Sequence, residues 1–326
     1  MEKRWLLLIT LFVFISCSND NSRRDDLIIP NGDGLIIPNS IGQDTIWITN
    51  RDSANVTKLN PNGTTAGTFA VGKGPYGIAV DASGNVWVAN WRSHNVTKLN
   101  PNGTTAGTFA VDNNPRGIAV DASGNGWVVN WRSANVTKLN PDGTTLGTFN
   151  AGTGPYGIAV DASGNVWVTN YGSDNVTKLN PDGTTLGTFN VGTGPYGIAI
   201  DASGSVWVAN YNSHNVTKLK PDGTTAGTFA VGKGPYGIAV DASGNVWVVN
   251  WRSDNITKLN PDGTAAGTFT AGSSPRGIAV DTSGNIWVTN YGSDNVTKLN
   301  PDGTPLGTFA VGKGPYSIAI DISGNG

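Results

Sequence analysis

The sequence predicts an all-β fold: a seven-bladed β-propeller of four-stranded antiparallel blades, closed by the C-terminal strand joining the N-terminal blade. Three observations predict it. A forty-residue unit, typified by residues 71–110, recurs with small edits from about Asp44 to the end of the chain. A fixed period of this size marks a solenoid or a propeller. Each unit contains four short β-branched or aromatic-rich runs bounded by Gly, Pro, Asn and Asp, and nothing of helical period. The tryptophan of the second run and the phenylalanine of the fourth each occur seven times. The first run also occurs seven times but out of phase, missing before Trp47 and present as the last strand of the chain. Seven complete blades therefore require the two ends to meet in one sheet, which removes the free edges of an open array.

In chain order, Lys3 and Arg4 precede an apolar run from Trp5 to Ile15, then Ser16 and Cys17. This reads as a secretory leader over residues 1–17, too short to span a bilayer. A small residue before a cysteine resembles a bacterial lipobox, in which Cys17 becomes lipidated, although Phe14 stands where such motifs carry Leu. The other reading is ordinary cleavage and a soluble periplasmic or secreted protein. Residues 18–44 form a polar tether containing a duplicated Leu-Ile-Ile-Pro-Asn. Residues 45–326 are the propeller.

Within one unit the runs are 77–81, 85–90, 95–99 and 107–111. Asp81-Ala82-Ser83-Gly84-Asn85 is a tight hairpin loop. Asn100-Pro101-Asn102-Gly103 is a turn with Pro second and Gly in the left-handed region. Pairing the first two strands across the hairpin sets small Ala79 opposite Trp87 and places Ile78, Val80, Val86 and Val88 on the other face. Blades pack face to face, so one tryptophan per blade forms a ring of wedges, each stabilising by about 2–3 kcal/mol before entropy is counted. On the third strand, Lys98 is a candidate to lie over Trp87.

Strand direction alternates, so the loops after the second and fourth strands emerge on one face. The edits between copies concentrate there. After the second strand stand Trp91-Arg92, Trp131-Arg132, Tyr171, Tyr211, Trp251-Arg252 and Tyr291, while that slot opens with Arg51 in the first copy. Between blades stand Tyr76, Arg116, Tyr156, Tyr196, Tyr236, Arg276 and Tyr316. Exposed Trp, Tyr and Arg anchor interfaces and stack on flat ligands, so this face is the candidate ligand-binding surface. The same side chains could instead cap the blade ends. The opposite face carries Asp81, Asp121, Asp161, Asp201, Asp241, Asp281 and Asp321. A carboxylate ring at the channel mouth could hold a hard cation, but an aspartate that accepts N–H bonds inside its own hairpin loop explains the pattern without a metal.

Composition excludes several classes. The formal net charge is −2 with no basic block, so nucleic acid is not an expected partner. One cysteine permits neither an internal disulfide nor a cysteine-based zinc site. Glu2, in the leader, is the sole glutamate, and His94 and His214 are the two histidines, in the same loop slot three blades apart. A general acid–base pair needs both groups within reach of one substrate, and a His-based metal site needs convergence. No catalytic residue and no cofactor is therefore assigned.

The motifs carry a family resemblance. Pro75-Tyr76-Gly77-Ile78-Ala79-Val80-Asp81, then Gly84-Asn85-Val86-Trp87-Val88, then a third strand ending in Asn-Pro-Asp-Gly, resembles the NHL repeat and the blades of virginiamycin B (streptogramin) lyase-like propellers. Trp167-Val168-Thr169-Asn170-Tyr171-Gly172-Ser173 is similar to the YVTN repeat. The resemblance covers residues 45–321. It implies a propeller, and for the lyases a His/Glu and magnesium site that opens a cyclic depsipeptide. That set does not carry over onto this chain. NHL and YVTN relatives are often binding platforms of surface and envelope proteins. The expectation is a monomeric, exported, lipid-anchored platform for an envelope protein or polysaccharide, touching the membrane only through its anchor. The alternatives are a lyase-like enzyme, a degenerate relative of one, or a recently amplified repeat with little selected function.

Overall fold

The computed structural model describes residues 44–324, so the leader, Cys17 and residues 18–43 lie outside the described residues. Strands β1 (Thr45–Asn50), β2 (Asn55–Leu59) and β3 (Thr65–Ala70) open the chain. Strands β4 (Pro75–Val80), β5 (Val86–Asn90), β6 (Asn95–Leu99) and β7 (Thr105–Ala110) make the first complete blade. The pattern repeats to β28 (Pro315–Asp321), giving seven four-stranded antiparallel sheets and no helix among the described residues. The closing sheet has the order β28-β1-β2-β3, so the last strand completes the first blade.

Register follows from the alternation of small and large residues. Ala79 pairs with Trp87, Ile78 with Val88 and Val80 with Val86. All seven of these tryptophans are fully buried. Each stacks near the phenylalanine of its own fourth strand, as Trp47 does with Phe69 at 5.6 Å. That phenylalanine fills the space over a turn glycine of the next blade. A Cβ on Gly103 would stand 2.1 Å from the Phe69 ring, and Gly103 also holds φ at +84°. Only glycine meets both demands.

The first strand of each blade lines an axial cavity of about 220 Å³. Adjacent inner strands approach closely. A Cβ on Gly77 would lie 2.3 Å from the carbonyl oxygen of Arg116. Register also breaks here: Pro75 pairs with Asn90 and Ile78 with Val88, so Tyr76 and Gly77 together oppose Ala89. The same bulge occurs in the inner strand of every blade. A bulge re-aims a side chain, and these turn the residues of the Tyr76 slot toward the axis.

Candidate functional site

The two ends of the ring differ in chemistry. On the turn face, which carries the Asp-Ala-Ser-Gly-Asn loops and the Pro-Asp-Gly turns, each aspartate is committed to its own blade. Asp81 accepts from the backbone N–H groups of Ser83 and Asn85, from the Asn85 amide and from the Trp87 indole at 3.1 Å. Burial alone would raise the Asp81 carboxyl, but these bonds outweigh it and hold the group below its ordinary value. Among the described residues, no group of three or more His, Cys, Asp or Glu side chains could hold a metal ion. Asp121, Asp161, Asp201, Asp241 and Asp281 accept from backbone N–H groups of their own loops in the same way, and Asp321 accepts from the Ser323 amide, so all seven act as loop caps.

The third-strand lysine completes this cluster. Lys98 Nζ lies 4.3 Å from the Trp87 ring centroid, 3.5 Å from Asp81 Oδ2 and 2.8 Å from the carbonyl of Pro141 in the next blade. All seven blades make the lysine-to-proline bond, and Lys298 to Pro61 closes the ring. Only the closing blade departs at its tryptophan. Six indoles donate to their loop aspartate, whereas Trp47 Nε1 has no partner and Asp321 is reached by Thr45 Oγ1 at 3.5 Å.

The crossover face, at the opposite end, holds the edited positions. Its inner slot is a plug rather than an exposed surface. Tyr76, Tyr156, Tyr236 and Tyr316 are buried, at 5–8% exposure, against the expectation of exposed aromatics. The hydroxyls of Tyr156, Tyr236 and Tyr316 hydrogen-bond to one another in a triangle. Burial pushes all three above the ordinary phenol range, so they remain neutral donors and acceptors. Half-buried Tyr196 stacks on Tyr156 at 4.0 Å and on Tyr236 at 4.4 Å. The physical cause is the bulge, which sends seven equivalent residues toward one axis.

Arg116 and Arg276 interrupt the tyrosine ring. The Arg116 guanidinium lies 4.7 Å from the Tyr156 ring and 4.8 Å from both Tyr76 and Trp131. Arg276 lies 4.6 Å from Tyr236, 5.0 Å from Trp251 and Tyr291, and 5.2 Å from Tyr316. The outer slot surrounds the plug. Trp91, Tyr171, Tyr211, Trp251 and Tyr291 are half-buried, Trp131 is 37% exposed, and Arg92, Arg132 and Arg252 are exposed. Arg92 folds over Trp91 at 5.5 Å, and Arg252 donates through Nε to the Tyr211 hydroxyl at 3.2 Å. The sequence reading did not assign Arg51 to the site. It stands over Tyr76 at 5.4 Å and donates to the Tyr291 hydroxyl at 3.0 Å. Its position in the slot of Trp91 and Trp131 is the signal that could have found it.

His94 and His214 take no part in this cluster. His94 Nδ1 accepts the backbone N–H of Asn114 at 3.0 Å, the role that Asp174, Asp254 and Asp294 carboxylates play in other blades. His214 Nδ1 is within 3.1 Å of the Gly234 amide and 3.0 Å of the Tyr211 carbonyl. Both residues sit at positive φ, where a polar side chain that bonds locally is tolerated best.

The sequence model of the virginiamycin B lyase family matches residues 67–189 and 144–311. The chain belongs to the virginiamycin B lyase family. A streptogramin B lyase structure is similar at 19% identity and a TM-score of 0.70, covering 84% of this chain and 91% of its own. A catalytically inactive virginiamycin B lyase from Staphylococcus aureus with quinupristin matches at 17% identity and TM-score 0.68, covering 82% and 89%. A putative 6-phosphogluconolactonase from Bacteroides fragilis matches at 16% identity and TM-score 0.75, covering 86% and 98%. At these identities the likeness to solved structures shows the fold. A search of curated proteins finds no match. The His/Glu and magnesium set that the lyase resemblance implies does not fit this family member. Both histidines hold backbone groups, and the one glutamate is Glu2, outside the described residues.

Proposed function

We propose that this member of the family is a non-catalytic binding propeller that recognises an envelope protein or polysaccharide on its crossover face. In this reading it is exported and held at the membrane through Cys17. The observation that carries the reading is the division of labour between the ends. Every edited aromatic and arginine collects on one face, around a rigid tyrosine plug, while the histidines are spent on backbone contacts. Aromatic side chains flanked by arginine supply apolar area and hydrogen bonds at low conformational cost, which suits recognition.

The test is a pull-down from envelope extract with the purified protein, beside a Trp91→Ala/Trp131→Ala/Trp251→Ala variant shown by calorimetry to remain folded. A ligand held by the wild type and released by the variant supports the reading. Equal retention by both places binding elsewhere. The family assignment favours a second reading, a lyase-like enzyme acting on a streptogramin B-type depsipeptide. Turnover of such a substrate, lost in His94→Ala or His214→Ala, would establish it.

A further inference from the structure

In five blades the loop after the second strand carries a side-chain acceptor for the crossover loop that leads to the next blade. His94, Asp174, His214, Asp254 and Asp294 take the backbone N–H groups of Asn114, Gly194, Gly234, Ser274 and Gly314 at 2.7–3.1 Å. In the other two blades the same slot holds Ala54 and Ala134, and the amides of Gly74 and Gly154 make no hydrogen bond among the described residues. Both alanines keep the left-handed backbone of the slot, at φ +52° and +54°, where a side chain with no polar group to bond locally is least at ease. The loop is therefore retained and only the acceptor is gone. An amide without an acceptor is costly unless water or a ligand meets it.

The vacated positions face solvent. The carboxylates that fill them elsewhere belong to the exposed residues Asp174, Asp254 and Asp294, and an alanine leaves more room than an aspartate. Each vacancy also has further donors beside it. A Cβ on Gly74 would stand 3.1 Å from Cγ of exposed Arg92, and exposed Lys73 precedes Gly74 in the chain. A Cβ on Gly154 would stand 3.0 Å from Trp131 Nε1, an unbonded indole N–H on a residue 37% exposed. The residue facing Gly154 is Gly172, which brings no side chain to cover the amide.

The surrounding charge selects an anion. Arg51, Lys73, Arg92, Arg116, Arg132 and Lys313 stand on this face over the first three blades against Asp52 and Asp112, whereas the fourth and fifth blades bring no Lys or Arg to it. Every ion pair among the described residues joins a lysine of the turn face to an aspartate, so none of these six cations is paired with a carboxylate. In three blades the group that completes this position is an aspartate carboxylate. The same group offered from outside completes the other two in the least altered form. Trp, Tyr and Arg around the vacancies are the residues on which protein partners anchor.

We propose that the crossover face docks an acidic segment of a partner protein, whose Asp or Glu carboxylates take the Gly74 and Gly154 amides in place of the acceptors that Ala54 and Ala134 omit. This rests on the binding-face reading above and supplies the partner's chemistry. Arg92 and Lys73 neutralise the first carboxylate, and the Trp131 indole shares the second.

The probe is a peptide of Asp-Ser-Gly repeats titrated into the isotope-labelled full-length protein, beside its Asn-Ser-Gly counterpart and a galacturonate oligosaccharide. Amide resonances report the contact directly. Those of Gly74 and Gly154 should shift saturably with the acidic peptide, while those of Gly194, Gly234 and Gly314, already bonded, should stay in place. Affinity should fall as salt is raised, and the neutral peptide should bind at least about tenfold more weakly. Ala54→Asp/Ala134→Asp gives the chain its own acceptors, so it should melt no lower than wild type and lose at least about tenfold in affinity. Ala54→Asn/Ala134→Asn fills the same positions without charge and should lower affinity severalfold, which separates occupancy from repulsion.

Shifts at Gly74 and Gly154 no larger than at the three bonded glycines, or unchanged affinity in both double variants, overturn the assignment. So does tighter binding of the galacturonate than of the acidic peptide, which would make the partner a glycan. If the peptide fails while an envelope ligand is still captured in a tryptophan-dependent way, the binding face stands without this docking mode. Loss of that capture as well removes both readings.

Discussion

The turn face and the crossover face are made by the same forty-residue unit, yet they are built on opposite principles. On the turn face, one arrangement of Asp, Trp, Lys and a proline carbonyl recurs around the ring, and its polar groups are consumed in holding blades together. On the crossover face the slots vary among Tyr, Trp and Arg, and the unpartnered donors of Arg51, Trp91, Arg116, Trp251 and Arg276 gather there. A repeat protein can vary a surface freely only where the variation does not carry the inter-blade contacts. Here the contact that recurs in every blade, lysine to the next blade's proline carbonyl, lies at the turn end, whereas the inter-blade contacts of the crossover end differ from blade to blade.

The largest expected effect comes from the closure. Deleting residues 315–326 removes β28, and with it buried Tyr316 and Ile318 and the Thr49 Oγ1 contact to the Ser317 amide. The melting temperature should fall by about 10 °C or more and the transition should broaden. A truncated chain that melts like the full length in calorimetry would show that the closing sheet adds nothing to either face.

Next come paired substitutions, one per face. Lys98→Met leaves the Pro141 carbonyl without its donor and takes the counter-charge from Asp81, and should cost about 2–3 kcal/mol. Trp131→Ala removes a side chain 37% exposed and should cost less than about 1 kcal/mol. Urea midpoints in the reverse order would break the division between structural and recognition faces.

Acid should act through the turn face. Asp81 and Asp201 both have carboxyls held below the ordinary 3.8. For Asp201, burial opposes the shift, and bonds from Ser203, Trp207 and Ser205 with the charge of Lys218 outweigh it. A depressed folded-state value contributes stability that is present above the ordinary value and lost as pH falls through the folded one. The urea midpoint should therefore hold from about pH 7 to 5 and drop below about pH 4. A midpoint that stays level to pH 3 would mean these aspartates bond no better folded than unfolded.

The smallest effect concerns a histidine. His94→Ala loses the acceptor for the Asn114 amide and should cost about 0.5–1 kcal/mol, whereas His94→Asp should restore it, since Asp294 does the same for Gly314. Equal melting of the two variants would show that the histidine is not a backbone acceptor.

Much of this architecture was legible in the chain. The period gave the blades, the phase of the first run gave the closure, and alternation gave the Ala79–Trp87 pair and Lys98 over Trp87. The site was legible only as two sets of edited positions. Nothing in Pro75-Tyr76-Gly77 announces a bulge, because a bulge is a mismatch in length between two strands. Its consequence, tyrosines meeting at an axis, exists only once seven copies share that axis. The lysine bond to the next blade's proline carbonyl was hidden for the same reason, since it joins residues forty-three apart that only blade stacking brings together.

The sequence by itself determined the strands, their order in each sheet and which residues face which, because local pattern and turn chemistry act over a few residues. Tertiary structure alone decided which polar groups are satisfied. It gave the hairpin-loop aspartates, the two histidines and the third-strand lysines their partners and left the described crossover arginines without a carboxylate. Satisfaction depends on what the neighbouring blade presents, and no single copy of the repeat contains that neighbour.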